Sequence, residues 1–230
     1  MRMANGADIG AKATVAGVPL PSSPTGSDPL RGAEGQYFSE RPSVASRPTE
    51  VRLDLVDVSL RLRTDRGVFS AERVDPGTKL LLMELPAPTD WPDGPVLDVG
   101  CGYGPIACTV ALRDPGREVW AVDVNERARD LCATNATAAG VEVRVVAPDD
   151  VPSDLQVGLV VSNPPIRIGK AALHDLLSGW LARLAHGGEA WLVVQKHLGA
   201  DSLSDWLEAA GWSVERVRAR QGYRVLRVRR

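Results

Sequence analysis

The chain has 230 residues, 44% of them hydrophobic, with a formal net charge of −2, enough to bury one sizeable core and too neutral for global electrostatics to select a nucleic-acid or membrane partner. Its three cysteines, Cys101, Cys108 and Cys132, fit neither a disulfide framework nor a CxxC zinc pattern, so a reducing compartment is expected and no metal. No apolar run reaches the ~18 residues of a bilayer span and the first residues lack a signal peptide's apolar core, which predicts a cytoplasmic protein without a membrane partner.

Residues 1–35 are rich in Gly, Ala, Pro and Ser without sustained periodicity. Such a stretch cannot offset its ordering entropy, and a disordered tail is expected. One domain is expected over 36–230, with order beginning near Gln36-Tyr37-Phe38-Ser39, an N-terminal extension over 36–90 and the core over 91–230. Between Val51 and Leu62 apolar residues alternate, with a parity slip at Leu55-Val56 that predicts strands broken by a bulge or a turn. Asp75-Pro76 reads as a helix cap followed by proline at the first helical position. From Val96 onward, predicted strands at 96–99, 118–124, 142–147, 157–162 and 189–195 alternate with helices at 104–113, 125–139 and 171–185. A helix at 202–210 and strands at 213–219 and 223–229, joined by Gln221-Gly222, complete the pattern. The alternation predicts an α/β fold: a doubly wound, mostly parallel seven-stranded Rossmann-like sheet ending in an antiparallel C-terminal hairpin.

Two motifs carry the chemistry. Val96-Leu97-Asp98-Val99-Gly100-Cys101-Gly102-Tyr103-Gly104 is a buried strand opening into a glycine loop, where a backbone can press against a nucleotide-like ligand beneath a helix N-terminus. A dinucleotide fingerprint needs glycine or alanine where Pro105 stands, which disfavours NAD. Asp98 suits a ligand with an ammonium group. Asp123, nineteen residues past Gly104, ends the next strand, where a carboxylate can accept both ribose hydroxyls. Asp149 follows the third strand and is either an acceptor for an adenine amine or part of a solvated turn. Cys101 reads as a small packing residue.

The second motif, Ser162-Asn163-Pro164-Pro165, ends the fourth strand. A planar exocyclic amine is a poor nucleophile because its lone pair is delocalised. Accepting hydrogen bonds from both N–H groups, on the Asn163 side-chain oxygen and the Pro164 carbonyl, favours a pyramidal nitrogen with its lone pair exposed. The prolines restrict the backbone that holds these acceptors. No strong base is required, since the amine becomes acidic once methylated, and catalysis is mostly positioning.

The two motifs together resemble a class I S-adenosylmethionine-dependent methyltransferase. Over residues 36–230 the chain resembles the RsmC-like family of small-subunit ribosomal RNA guanine-N2 methyltransferases, in its short single-domain bacterial branch. The matching stretches are Tyr37-Phe38-Ser39, Thr64-Asp65-Arg66-Gly67-Val68-Phe69-Ser70, 98–105, Val122-Asp123-Val124-Asn125-Glu126-Arg127-Ala128, 162–167 with Gly169-Lys170, and Gln195-Lys196. The resemblance implies that Asp98, Gly100, Gly102, Gly104, Asp123, Val124, Asp149 and Asn163 hold S-adenosylmethionine. It implies that Asn163 and Pro164 hold the target amine, and that Pro165, Ile166, Arg167 and Lys170 contact the substrate, ribosomal RNA or the small ribosomal subunit. Gln36 stands where this branch has histidine, and Ile166 where many relatives place an aromatic residue to stack on the base. The alternatives are N-methylation of a protein glutamine or an adenine amine, or a non-catalytic cofactor-binding assembly factor.

The remaining candidates have two readings each. Arg167 and Lys170 are either phosphate contacts or the solvated start of a helix. Residues 216–230 hold seven arginines and no acid, a local +7 against −9 for the rest of the chain. That segment is either an RNA footprint or the wet face of an edge strand. Tyr223 either stacks on a base or packs in the core. His174, His186 and His197 show no metal spacing.

Overall fold

Alternating side chains between 49 and 64 build the first element. In the computed structural model, which describes Glu40 and residues 42–230, β1 (Thr49–Asp54) pairs antiparallel with β2 (Ser59–Thr64). The expected tail and the Gln36-Tyr37-Phe38-Ser39 stretch lie outside the described residues. Val51 and Leu53 face Leu62 and Leu60 on the buried side, while Arg52, Arg61 and Arg63 stay exposed. The parity slip is the hairpin turn itself, closed by Leu55 N–H donating to Val58 O at 2.8 Å. Asp75 then caps α1 (Pro76–Glu84), its side chain accepting from Thr78 N–H.

The alternating pattern from Val96 forms one seven-stranded sheet. Its members are β3 (Val96–Val99), β4 (Val119–Val122), β5 (Arg144–Val146), β6 (Val157–Ser162), β7 (Leu184–Gln195), β8 (Ser213–Arg220) and β9 (Tyr223–Arg229). Between them lie α2 (Pro105–Arg113), α3 (Glu126–Ala139, capped by Asn125), α4 (Lys170–Leu181) and α5 (Ala200–Ala209). The strand order is β5-β4-β3-β6-β7-β9-β8, parallel from β5 to β7 and antiparallel at β9 and β8. The last strand inserts between β7 and β8, so β9 is half buried while β8 is an arginine-rich edge, a composition that discourages edge-to-edge pairing. Gln221 and Gly222 both adopt positive φ, 49° and 81°, as a tight two-residue hairpin turn requires.

Successive strand residues feed opposite cores. Val96, Leu159, Val161, Trp191 and Val193 pack with the β1–β2 hairpin, α1, α2 and α3 on one face. Leu97, Val99, Val160, Leu192 and Val194 pack with α4 and α5 on the other. The first core runs across residue 90: Leu53, Leu62 and Leu81 share it with Ile106 and Cys132. Asn135 of α3 ties the hairpin down, its amide accepting from Arg63 N–H and donating to Arg63 O and Tyr103 O, each at 2.8 Å.

The largest boundary difference from the sequence expectation lies between α4 and β7. The helix expected over 171–185 ends at Leu181, and β7 begins at Leu184 rather than 189. Leu184 pairs with Val157 across a bulge, and a Cβ at Gly188 would stand 2.9 Å from Ala185 O and 3.0 Å from Gly158 O. Only a residue without a side chain can approach that closely. Helical periodicity continued into the segment, and the close backbone approach overrode it.

Candidate active site

The chain leaves β3 toward one edge of the sheet and returns at β6 on the other side of β3, so the loops after these two adjacent strands diverge. Such a switch point is where open α/β sheets bind ligands. Ser162 Oγ donates to Val99 O at 2.6 Å and locks the two strand ends together. The cavity here has a volume of about 620 Å³. The structure brings both motifs to its wall: Gly100, Gly102, Asp123 and Val124 from one side, Asn163, Pro164, Pro165, Ile166 and Arg167 from the other.

On the glycine side, Gly102 has φ +54° and nothing within 4 Å of where a Cβ would lie, leaving bare backbone. Asp123 anchors this loop: Oδ2 accepts from Gly102 N–H and Oδ1 from Asn125 N–H, both at 2.9 Å. Burial pushes the Asp123 pKa up, opposed by those two backbone donors. Each oxygen keeps a lone pair for a further donor. Val124, 42% exposed, adds an apolar surface.

Four expected contacts stand off the wall. Asp98 is 1% exposed beneath the loop, where Oδ2 accepts from Ala107 N–H at 3.0 Å and ties down the start of α2. Its Oδ1 is buried without a partner, and burial pushes its pKa well above the carboxylate range. A cation held over the loop would favour its ionised form. Gly104 is a packing glycine, since a Cβ there would stand 2.7 Å from Cys132 Sγ on α3. Asp149 is exposed in the turn after β5, and its neighbour Pro148 takes the place on the wall. Lys170, the first residue of α4, is exposed outside the cavity.

On the other side, Asn163 Nδ2 donates to Asp75 Oδ2 at 3.1 Å and to Thr78 Oγ1 at 3.0 Å. Both amide protons are thereby used, which leaves Oδ1 as an acceptor. Tyr223 OH donates to Asp75 Oδ1 at 3.1 Å and Gln195 Nε2 donates to Tyr223 OH at 2.9 Å. Asp75, Thr78, Gln195 and Tyr223 all line the cavity. Sequence reasoning missed the first three, because a capping pattern accounts for Asp75-Pro76 by itself and the partners lie 85 and 88 residues from Asn163. Phe69, 47% exposed, is an aromatic side chain on the wall.

All three cysteines are buried. A hydrogen bond with Cys132 and then burial push the Cys101 pKa up, and burial does the same at Cys108. None of the three histidines is on the cavity wall, and among the described residues no cluster could hold a metal ion. Among them, too, no helix is long and apolar enough to cross a membrane.

The arginine-rich end is largely neutralised within the molecule. Arg216 pairs with Asp205, Arg218 with Glu84 at 2.8 Å, Arg224 with Asp201, Arg227 with Glu189 and Arg229 with Glu215. Arg230 lies over the Trp212 ring. Arg220, at the hairpin end beside Tyr223, has no such partner among the described residues. Five of the seven arginines thus meet an acid within the molecule.

Comparison with known proteins places this site in context. The family model described as "Methyltransferase small domain" matches residues 59–227. The chain is 35% identical over 198 residues to the Bacillus subtilis (strain 168) protein named "Uncharacterized protein YbxB", covering 84% of this chain and 98% of that one. It is 33% identical over 163 residues to "Ribosomal RNA small subunit methyltransferase C" of Shewanella amazonensis, covering 69% of this chain but 47% of that protein, so it spans about half of that relative's length. Among solved structures, the fold matches "T. Thermophilus 16S rRNA N2 G1207 methyltransferase (RsmC) in complex with AdoMet and Guanosine" with a TM-score of 0.70 at 24% identity, over 82% of this chain and 52% of that one.

Proposed function

The chain belongs to the methyltransferase small domain family, and from that premise we propose that it is an S-adenosylmethionine-dependent N-methyltransferase acting on guanine N2 of small-subunit ribosomal RNA. The observation that carries this reading is the shared cavity at the switch point, where the bare Gly100–Gly102 backbone faces Asn163-Pro164-Pro165. The relatives named for ribosomal RNA methylation support the acceptor, and such a substrate agrees with a cytoplasmic location.

The residues fit the cofactor. Gly100 and Gly102 leave backbone for it to lie against, Asp123 has lone pairs for ribose hydroxyls, Val124 offers an apolar face for adenine, and Asp98 supplies an uncompensated buried oxygen beneath the methionine end. When bound, S-adenosylmethionine supplies an electrophilic methyl group. Asn163 Oδ1 and the Pro164 carbonyl accept from the two N–H groups of the target amine and draw its nitrogen toward a pyramidal geometry. Phe69, Ile166 and Tyr223 offer the base flat and apolar surfaces. With no histidine on the wall, the proton leaves the methylated amine to water, which its raised acidity permits.

The direct test is labelled-methyl transfer to small ribosomal subunits from a strain lacking this protein, with mass spectrometry of the ribosomal RNA. N2-methylguanine is the expected product. Methylation of a peptide glutamine or of adenine would replace the proposed acceptor, and no transfer to any of these would favour an assembly factor.

Replacing Asp123 with Ala is expected to weaken cofactor binding by about 1–3 kcal/mol, the cost of deleting a charged hydrogen-bond partner. Isothermal calorimetry with S-adenosylmethionine checks this; unchanged affinity would remove Asp123 from the cofactor site.

RNA affinity must come from cations not already answered by acids. Arg73 lines the cavity and Arg220 stands at the hairpin end, both exposed and neither ion-paired among the described residues. Phosphate contacts release counterions, so Arg73→Gln and Arg220→Gln together should flatten the plot of log affinity against log salt by about 1–2 units. Arg218→Gln, whose charge is already met by Glu84, should leave the slope unchanged. The reverse pattern would return the RNA footprint to the face of β8.

A further inference from the structure

The buried polar network behind Asn163 exceeds what capping a helix requires. Asp75 is 8% exposed and Thr78 4%, and together they take both protons of the Asn163 amide. A carboxylate only accepts hydrogen bonds, so Asp75 dictates which end of the amide faces it. Tyr223 OH holds the other carboxylate oxygen, and Gln195 holds Tyr223 in turn. The Tyr223 ring reaches this position because residue 77 lacks a side chain: a Cβ at Gly77 would stand 2.5 Å from Tyr223 Cδ1 and Cε1.

We infer that Asp75 is a positioning residue for methyl transfer: it locks the Asn163 amide with its nitrogen inward and its oxygen toward the cavity. The inference rests on the reading of Asn163 given above. A freely rotating amide would present its nitrogen to the target amine half of the time, donor against donor. The Asp75 carboxylate accepting from Nδ2 also polarises the amide and strengthens Oδ1 as an acceptor, an effect enhanced by burial. Three separate segments thus converge on one side-chain torsion: the cap of α1, the end of β7 and the start of β9. The N-terminal part of the chain enters the site through this lock.

The test is Asp75→Ala, which removes Oδ2, the one oxygen that accepts from both Asn163 Nδ2 and the capping Thr78 N–H, with thermal melting to show that the variant stays folded. Turnover at saturating cofactor and substrate is expected to fall about tenfold, with cofactor affinity and KM within about twofold of wild type. In the Asn163→Ala background the same change should lower turnover less than twofold, because the group it orients is gone. Equal losses in both backgrounds, or a loss seen only in cofactor affinity, would overturn the inference. Should Asp75→Ala fail to fold, Tyr223→Phe removes the donor to Asp75 Oδ1 without touching the cap, and about threefold lower turnover is expected; a wild-type rate would count against the lock. An activity-independent readout separates this inference from the proposed function. The Asn163 side-chain amide protons should exchange slowly with solvent, as seen by NMR, and at least tenfold faster in Asp75→Ala. A wild-type chain inert toward every acceptor but showing that protection retains the lock and loses the substrate reading. Fast exchange in the wild type overturns the lock itself.

Discussion

Asn163→Ala is expected to lower turnover about 10²–10³-fold while leaving S-adenosylmethionine affinity nearly unchanged, the loss typical of one preorganised polar group. The reason is geometric. Asn163 and the glycine loop share a cavity, but Asn163 is held from behind by Asp75 and Thr78, whereas the loop is held by Asp123. Deleting the amide removes an acceptor for the target amine and leaves the Gly102–Asp123 bond and the Val99–Ser162 tether in place. Its backbone carbonyl and that of Pro164 also survive, so positioning of the substrate degrades less than the chemical step. Single-turnover kinetics combined with calorimetry read the two quantities apart. A variant that no longer binds cofactor would show that Asn163 belongs to the cofactor site, and a variant with full turnover would show that the Pro164 carbonyl suffices.

The largest stability effect is expected at Gly158→Ala. A Cβ there would stand 2.1 Å from Asp93 O, 2.8 Å from Asp93 C and 2.9 Å from Pro92 O. A Cβ cannot rotate away, and what it meets is backbone. The obstructing segment leads directly into β3, and Gly158 N–H donates to Pro95 O at 2.9 Å, so relief requires moving the central strand pair. Overpacking costs ~1–3 kcal/mol in general, and this position belongs at the upper end. For a chain of this size, ~3 kcal/mol corresponds to a melting temperature lower by roughly 6–12 °C. Gly179→Ala, inside α4 with nothing within 4 Å, is the matched control. It should be neutral or raise stability by about 0.5–1 kcal/mol through helix propensity. Calorimetric melting of both variants checks the contrast; equal melting temperatures would mean that the 92–95 segment yields freely.

The middle of the sheet was legible because β3, β4 and β6 are buried on both faces. Val96-Leu97, Val119–Val122 and 157–162 are continuous apolar runs, and between them the helices carry a different period, so type and order follow from the pattern. The hairpin at Gln221-Gly222 was legible from its turn chemistry. The end of α4 was not: periodicity has no term for Gly188 lying against the backbone of Val157 and Gly158. Charge was legible as a sum and misleading as a surface. Seven arginines in fifteen residues left an RNA footprint and a wet strand face both open, and the acids that answer five of them, Glu84, Asp201, Asp205, Glu189 and Glu215, lie on α1, α5, β7 and β8.

The site divides in the same way. Residues 98–104 and 162–165 by themselves carried the expectation of a nucleotide-like ligand and a planar amine, because close backbone approach and paired acceptors are written in local residue types. Asp98 and Gly104 were assigned to the ligand on the same local grounds, and the fold set one under the loop and the other against Cys132. Only the tertiary structure decided how Asn163 is aimed. Its partners Asp75 and Thr78 sit on a helix entered before the sheet begins, and Tyr223 on the strand inserted last. Local chemistry depends on neighbours in sequence and can be read there; the orientation of a side chain depends on neighbours in space, which exist only once the core that joins those segments has formed.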